Sequence, residues 1–280
     1  MTWIHEHSDW PHFVWDDSRL AVALADTRHK QGRLLGRMES IGFDLQREAS
    51  LVTLTEDVAK SSAIEGQILS PDEVRSSIAK RLGIQTADIV PVSRNVEGVV
   101  EMMLDATQRH QLPLAEERLF GWHAALFPTG WSGMHKIAVG SWRSDHMEVV
   151  SGPEGKEKVH FEAPQAGKVD REMNAFLSWF EAEQDCDSVL TAGIAHFWFV
   201  TIHPFDDGNG RIARAIADMA LARAEGSKDR FYSMSAQFEN DRKDYYANLE
   251  KQQRGSVDIT AWLAGSLDAW AAPWIEPKIP

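Results

Sequence analysis

The chain has 280 residues, 43% of them hydrophobic, enough to bury a substantial core as one large domain or two small ones. Its 42 acidic against 29 basic side chains leave a net charge of −13, which argues against a general nucleic-acid-binding surface, since that needs a basic patch. A single cysteine, Cys186, excludes an internal disulfide and fits a reducing compartment, so a cytoplasmic protein is expected. The N-terminus MTWIHEHSDW lacks the basic start and apolar stretch of a signal peptide. No apolar run approaches the roughly 20 residues that cross a bilayer.

In chain order, helical patterns dominate. Leu20, Leu24, Leu34, Leu35, Met38 and Ile41 predict one long helix over 17–42. Leu51, Leu54, Val58 and Ile64 predict a second over about 45–65, joined to the first near Gly42 and closed by Gly66. Glu65 sits in its last turn, facing the negative dipole end, where helix physics would prefer a lysine. Ser70-Pro71-Asp72-Glu73 reads as a capping box with proline at the first helical position, opening a helix that ends at Gly83. Further helices are predicted near 93–110, 115–126, 168–184, 188–202, 209–225, 239–253 and 258–270. Gln111-Leu112-Pro113 is the best boundary, giving an N-terminal helical domain over 1–110 and a core over 111–280. Residues 138–164 are not helical. Val149, the Gly152-Pro153-Glu154-Gly155 turn and Val159-His160-Phe161-Glu162 predict a β-hairpin there.

The richest stretch is His203-Pro204-Phe205-Asp206-Asp207-Gly208-Asn209-Gly210-Arg211-Ile212-Ala213-Arg214. The apolar run Ile194–Ile202 reads as a buried helix that Pro204 stops, and Ile212, Ala213, Ile216, Ala217 and Met219 give the next helix its apolar face. The loop therefore feeds a helix N-terminus, whose free N–H groups and positive dipole end attract anions. Arg211 and Arg214, three residues apart, emerge on one side of that start, and arginine forks bind phosphate oxygens in pairs. His203 is the natural general base, because an imidazole titrates near the working pH. Asp207 is the expected ligand of a divalent cation, Mg²⁺ (or Mn²⁺), that bridges phosphates. The backbone at Gly208, Asn209 and Gly210, with the Asn209 side chain, is suited to charge developing on phosphorus. These residues together describe a phosphate-handling active site.

HPFDDGNGRIAR resembles the Fic family signature, HPFx(D/E)GNGRxxR, at every specified position. The resemblance implies an all-α Fic fold, a helical bundle with one β-hairpin flap. It also implies transfer of AMP from ATP to a Ser, Thr or Tyr hydroxyl of a target protein. On that resemblance His203 deprotonates the hydroxyl and Asp207 holds Mg²⁺. The loop amides with Asn209 form the anion hole, Arg211 grips the nucleotide phosphates and Arg214 binds the γ-phosphate. Phe205 and Gly210 count with the ATP- and anion-binding residues. The related Doc kinases have a lysine where this chain has Gly210, which speaks against kinase-like use of ATP.

Ser61, Glu65 and Gly66 match S-x-x-x-E-G, which resembles the inhibitory helix motif of Fic proteins, here within 50–66. In those relatives the glutamate pairs with the second motif arginine, here Arg214. An Arg214 held by a carboxylate cannot also clamp a phosphate, and the two anions would repel. The hairpin at 158–163 matches the flap that pairs with the target's backbone by strand addition, with Val159, His160 and Phe161 as flap residues and either Val159 or Phe161 clamping the target side chain. Asp241–Leu249 resembles the helix that closes the nucleotide site, where Tyr245, Tyr246 and Asn248 would contact adenine or ribose. The start of the chain, from Trp3 to Gly83, resembles one bacterial Fic subfamily with its own helical N-terminal domain. Many relatives continue into a small winged-helix-like region, so the end at Pro280 reads as either natural or a truncation. Trp270, Pro273, Trp274 and Pro277 serve packing or an interface for a partner or second subunit, as in a homodimer. Three alternatives stay open: removal of AMP, transfer from another nucleotide such as UTP or GTP, and a regulatory binding protein whose catalysis is vestigial.

Overall fold

A computed structural model describes residues 2–86, 88–153 and 155–271; Pro273, Trp274 and Pro277 lie outside them. Among these residues the chain forms eleven α-helices and two short antiparallel hairpins, consistent with an all-α bundle carrying a flap. The N-terminal part holds α1 (Asp17–Glu39), α2 (Phe43–Ile64), α3 (Pro71–Leu82) and α4 (Arg94–Gln108). After α5 (Glu116–Leu126) come two small hairpins, β1 (Trp131–Ser132) with β2 (His135–Lys136), and β3 (Glu148–Ser151) with β4 (Lys158–Glu162). Six helices follow: α6 (Val169–Glu181), α7 (Ser188–Ile202), α8 (Asn209–Glu225), α9 (Met234–Asn240), α10 (Arg242–Gln253) and α11 (Thr260–Ala271). A helix apolar and long enough to cross a membrane is absent among the described residues.

The bundle is organised around α7, apolar on all sides and buried from Ala192 through Ile202. A helix hydrophobic all round has to be surrounded by other elements. It packs on α8, whose Ala213, Ala215, Ala217 and Ala220 keep that helix slim enough for close approach. The other neighbours of α8 include α4, through α4's buried stripe of Val96, Val99, Val100 and Met103, and α2. Local chemistry sets the ends. Ser70 caps α3 by accepting the Glu73 N–H (3.4 Å), and Pro71 opens it. The Glu73 carboxylate reaches instead to the Ser93 N–H (2.8 Å), tying α3 to the start of α4, so the capping box is only half closed. Gly66, in the left-handed region (φ 80°), closes α2: its N–H donates to Ala63 and that of Gln67 to Ser62, the paired bonds of a Schellman motif.

Two departures from the sequence reading have local causes. The pattern at 239–253 is two helices, because Asp241 (φ −104°, ψ 32°) ends α9 and begins α10. The seven-residue α9 is capped by Ser233, whose hydroxyl accepts from the Ala236 N–H and donates to Asp57 of α2 (2.6 Å). The β1–β2 hairpin, with two residues a strand, is too short to leave a periodic signal.

Positions four apart on α2 and α8 form a polar seam with opposite chain directions. Asp57 meets Asp218, Ser61 meets Arg214 and Glu65 meets Gly210. Below this seam Arg230, 2% exposed, donates to Asp218 (3.0 Å), Glu225 (3.2 Å) and the Tyr232 hydroxyl (3.2 Å). Burial and the neighbouring Asp57 push the Asp218 carboxyl well above the usual carboxylate range, against the pull of Arg230. Removing the cation would strand buried acids. Arg230→Ala is therefore expected to lower the unfolding free energy by about 3–5 kcal/mol in urea titrations; a loss under about 1 kcal/mol would contradict this arrangement.

Candidate active site

Pro204 cannot continue α7, and the chain leaves through His203 in the left-handed conformation (φ 52°, ψ 58°). It is the one non-glycine residue with positive φ among the described residues, a strained state that persists only where its surroundings impose it. The Arg143 side chain does so. Buried to 3% exposure, it donates from Nε to the His203 carbonyl (2.8 Å) and from Nη2 to that of Pro164 (2.5 Å), while its backbone N–H donates to Pro204 (2.9 Å). The His203 Nδ1 lies 3.2 Å from the Val200 carbonyl. A carbonyl only accepts, so Nδ1 carries the proton and Nε2 keeps its lone pair. Burial pushes the His203 pKa down to about 4, with the Val200 carbonyl pulling the other way, so the ring is neutral at pH 7.

His203 lines a cavity of about 1080 Å³ together with Glu65, Val150, His160, Gly210 and Tyr246. At its floor α8 begins. The first intrahelical bond of the new helix is Ile212 N–H to Gly208, which leaves the N–H groups of Asn209, Gly210 and Arg211 without a helical acceptor. Gly208 (φ 83°) makes the turn, and a Cβ there would stand 2.9 Å from the Phe127 ring. Asp206 and Asp207 diverge. The Asp206 carboxylate accepts the Ala138 N–H (2.8 Å) and is committed to the loop. The Asp207 carboxylate takes the Ser132 hydroxyl on one oxygen and the Gly208 N–H (2.5 Å) on the other, and remains half-buried at the rim.

Both motif arginines are buried with one N–H direction unspent. Arg211 donates to Gln67 (2.9 Å) and lies over the Phe127 ring (5.1 Å), while its Nε has no partner. Arg214, 0% exposed, donates from Nε to the Ser61 hydroxyl (2.9 Å) and from Nη2 to the Ser61 carbonyl (2.7 Å) and Glu65 (2.8 Å). Its Nη1 has no partner. Burial alone would lower the Arg214 pKa, but the Glu65 charge overrides it and the net direction is upward. The second Glu65 oxygen receives the Tyr246 hydroxyl (3.3 Å). The carboxylate lies so close over the start of α8 that a Cβ on Gly210 would be 2.1 Å from Glu65 Oε1.

Other sequence-chosen side chains are committed to packing or to bonds within the protein, although Tyr245 and Phe161 also border the cavity. Asn209 is 2% exposed and turned inward: its amide accepts the Phe205 N–H (3.0 Å) and donates to the Phe205 carbonyl (2.8 Å), so the side chain braces the loop and only its backbone N–H points to an anion role. The Phe205 ring is fully buried, stacked on His123 (4.2 Å, 14°), and is core, not ligand surface. Tyr245 is buried and shares a hydrogen bond with His196 Nε2 (2.9 Å) behind Arg214. Asn248 donates to Ala261 (3.3 Å) and borders a separate cavity of about 250 Å³ against α11, three residues round the helix from Tyr245. Phe161 is 1% exposed, packs with Trp3 and Ala163 and borders the cavity, whereas Val159, at 36%, is not part of the cavity wall. Arg143, His123, Ser132 and Gln67 escaped the sequence reading. Gln67 alone had a local cue, its place next to Gly66.

Residues 113–221 match the Fic/DOC family, and residues 3–84 match a domain of unknown function, DUF4172. The chain carries a Fic domain. Its loop 203–214 lies inside the matched span. The protein adenylyltransferase Fic of Nematostella vectensis is 33% identical over 96 residues, 34% of this chain and 21% of that protein. A probable protein adenylyltransferase of Aquifex aeolicus is 23% identical over 224 residues, covering 80% of this chain and 62% of the relative. The chain thus spans about a fifth of the length of the animal relative and under two thirds of the bacterial one. Solved structures of a Fic family protein from Desulfovibrio desulfuricans (TM-score 0.64, 22% identity, 90% of this chain and 72% of that one) and of Fic-1 from C. elegans (0.58, 19%, 90% and 70%) share the fold.

The depressed pKa of His203 gives a direct check. Its folded-state value lies below that of a free imidazole, so the base form persists as pH falls through 6.5 and is lost only near 4. An NMR titration of the His203 ring is expected to show a midpoint below about 5. A midpoint at or above about 6.5 would contradict the half-buried, Val200-bonded ring.

Proposed function

We propose that the Fic domain transfers AMP from ATP to a hydroxyl side chain of a target protein, and that Glu65 restrains the reaction from within the chain. The observation that carries the reading is Arg214. A fully buried guanidinium meets a carboxylate over the N-terminus of α8, where a nucleotide's phosphates would otherwise sit, and one face of it is still unspent. The names of the relatives, protein adenylyltransferases, support the same chemistry.

In this reading the free N–H groups at the start of α8 hold the α-phosphate, and Arg211 and Arg214 hold the phosphates beyond it. The His203 Nε2 takes the proton of the target hydroxyl as its oxygen attacks the α-phosphorus. The bond between the α-phosphorus and its bridging oxygen breaks, and pyrophosphate leaves with its charge matched by the two arginines. Asp207 suits Mg²⁺, since one carboxylate at the loop rim is what an ion needs that draws its remaining ligands from phosphates and water. When bound, such an ion would neutralise phosphate charge. Glu65 acts by occupancy, because its carboxylate and a terminal phosphate need the same donors and repel each other.

Incubation with labelled ATP and Mg²⁺ tests the reading. Glu65→Gly is expected to raise labelling of protein acceptors about tenfold or more over the wild type, and His203→Ala in the same background to abolish it. Equal labelling by wild type and Glu65→Gly, or labelling that survives His203→Ala, would count against it.

A further inference from the structure

The acceptor side of the cavity is bounded by the hairpin β3–β4, and this hairpin is an unusual thing to find well placed. Two strands alone are marginal in water. Glu148, Val150 and Ser151 of β3 are exposed, so β3 brings little burial of its own. Two things hold the hairpin: α10, whose Glu250 carboxylate bonds His160 (2.6 Å), and a turn at the very start of the chain, Ile4–Glu6 with Trp3 before it.

The turn splits its side chains between two tasks. Ile4 is fully buried in the main core and anchors the segment. Trp3 and His5, on either side, go to the hairpin. The Trp3 ring meets Phe161 of β4 edge-on (5.4 Å, 83°), His5 meets it likewise (5.8 Å, 84°), and Trp3, Phe161 and Ala163 form a small apolar cluster apart from the main core. The Trp3 indole N–H donates to the Glu162 carboxylate (3.3 Å). His5 Nε2 donates to the Glu162 carbonyl (2.8 Å). From α10, Arg254 lies over the Trp3 ring (5.1 Å) and donates to the carbonyls of Val159 (2.9 Å) and His160 (3.2 Å). Strand β4 is therefore held at Phe161 and Glu162 by the N-terminal turn and at Val159 and His160 by Arg254 and Glu250.

Resting on the AMP-transfer reading above, we propose that Trp3 and His5 are positioning residues for the acceptor protein: they hold strand β4 so that the hairpin meets an incoming target segment already formed. They line no part of the His203 cavity and touch neither Glu65 nor either motif arginine. A hairpin that has to order itself on binding gives up affinity for the partner that orders it. Loss of the brace thus weakens capture of acceptor and spares nucleotide. The same N-terminal region, residues 3–84, then acts on both reactants, through Glu65 on the phosphates and through Trp3 on the acceptor.

The test uses the full chain in the Glu65→Gly background, with a cell extract as the acceptor pool. Trp3→Ala is expected to speed amide exchange at 148–162 roughly tenfold while exchange in α8 stays unchanged. The extract concentration for half-maximal labelling rises about fivefold or more, with plateau labelling and ATP affinity retained. Trp3→Phe, which keeps a ring against Phe161, restores most of the loss. Unchanged hairpin exchange in Trp3→Ala, or a loss of ATP affinity in step with labelling, would overturn the proposal and leave AMP transfer standing. A Glu65→Gly parent that labels nothing would overturn both.

Discussion

A guanidinium sealed inside a helical bundle has to be answered by anions and acceptors, and Arg214 sets this requirement for the whole structure. Moving an unpaired charge out of water costs several kcal/mol even after relaxation. The chain meets that cost from α2, with the Ser61 hydroxyl, the Ser61 carbonyl and the Glu65 carboxylate all on one guanidinium. The seam between α2 and α8 follows from this, since positions four apart on each helix must then meet at Asp57–Asp218 and Glu65–Gly210 as well. Yet Nη1 remains unsatisfied. A buried donor without a partner costs stability and suits a ligand that brings its own oxygens.

Glu65 resolves a conflict visible in its own helix. As the C-cap of α2 it stands by the negative dipole end, where a carboxylate is disfavoured. The positive end of α8 lies beside it, and the absence of a side chain at Gly210 lets the carboxylate lie close over that helix start, where Arg214 and the Tyr246 hydroxyl hold it. One helix end thus compensates for the other. In the proposed reading the carboxylate stands in for a phosphate, and the two compete for the same place.

Much of this was legible in the sequence because it is local. Pro204 after an apolar run, the glycines at 208 and 210, and the arginines three apart define the turn and its chemistry without tertiary information. Glu65 was legible as an oddity, an acid where a lysine would serve the helix better. What the sequence withheld depends on partners far along the chain. The inward turn of Asn209 depends on the backbone of Phe205, which is pinned in place by Arg143 and by the stack on His123. The clamp stayed open between Val159 and Phe161 because strand alternation does not say which face is covered, and Trp3, over 150 residues away, packs on Phe161. Asn248 and Tyr245 lie three apart on α10, and packing of that face against α11, which no local pattern announces, gives Asn248 a partner in Ala261.

The N-terminal region reaches the 203–214 loop through Glu65 on Arg214 and the β3–β4 hairpin through Trp3 on Phe161, so in the proposed reading phosphate access and hairpin order depend on the same stretch of chain. At the centre of this is the claim that an internal carboxylate and the terminal phosphate of ATP exclude each other at Arg214. Calorimetric titration of ATP and of ADP into the wild type and Glu65→Gly tests it most directly. The account predicts that the substitution tightens ATP binding about tenfold or more and leaves ADP binding little changed. An equal gain for both nucleotides, or none for either, would contradict it.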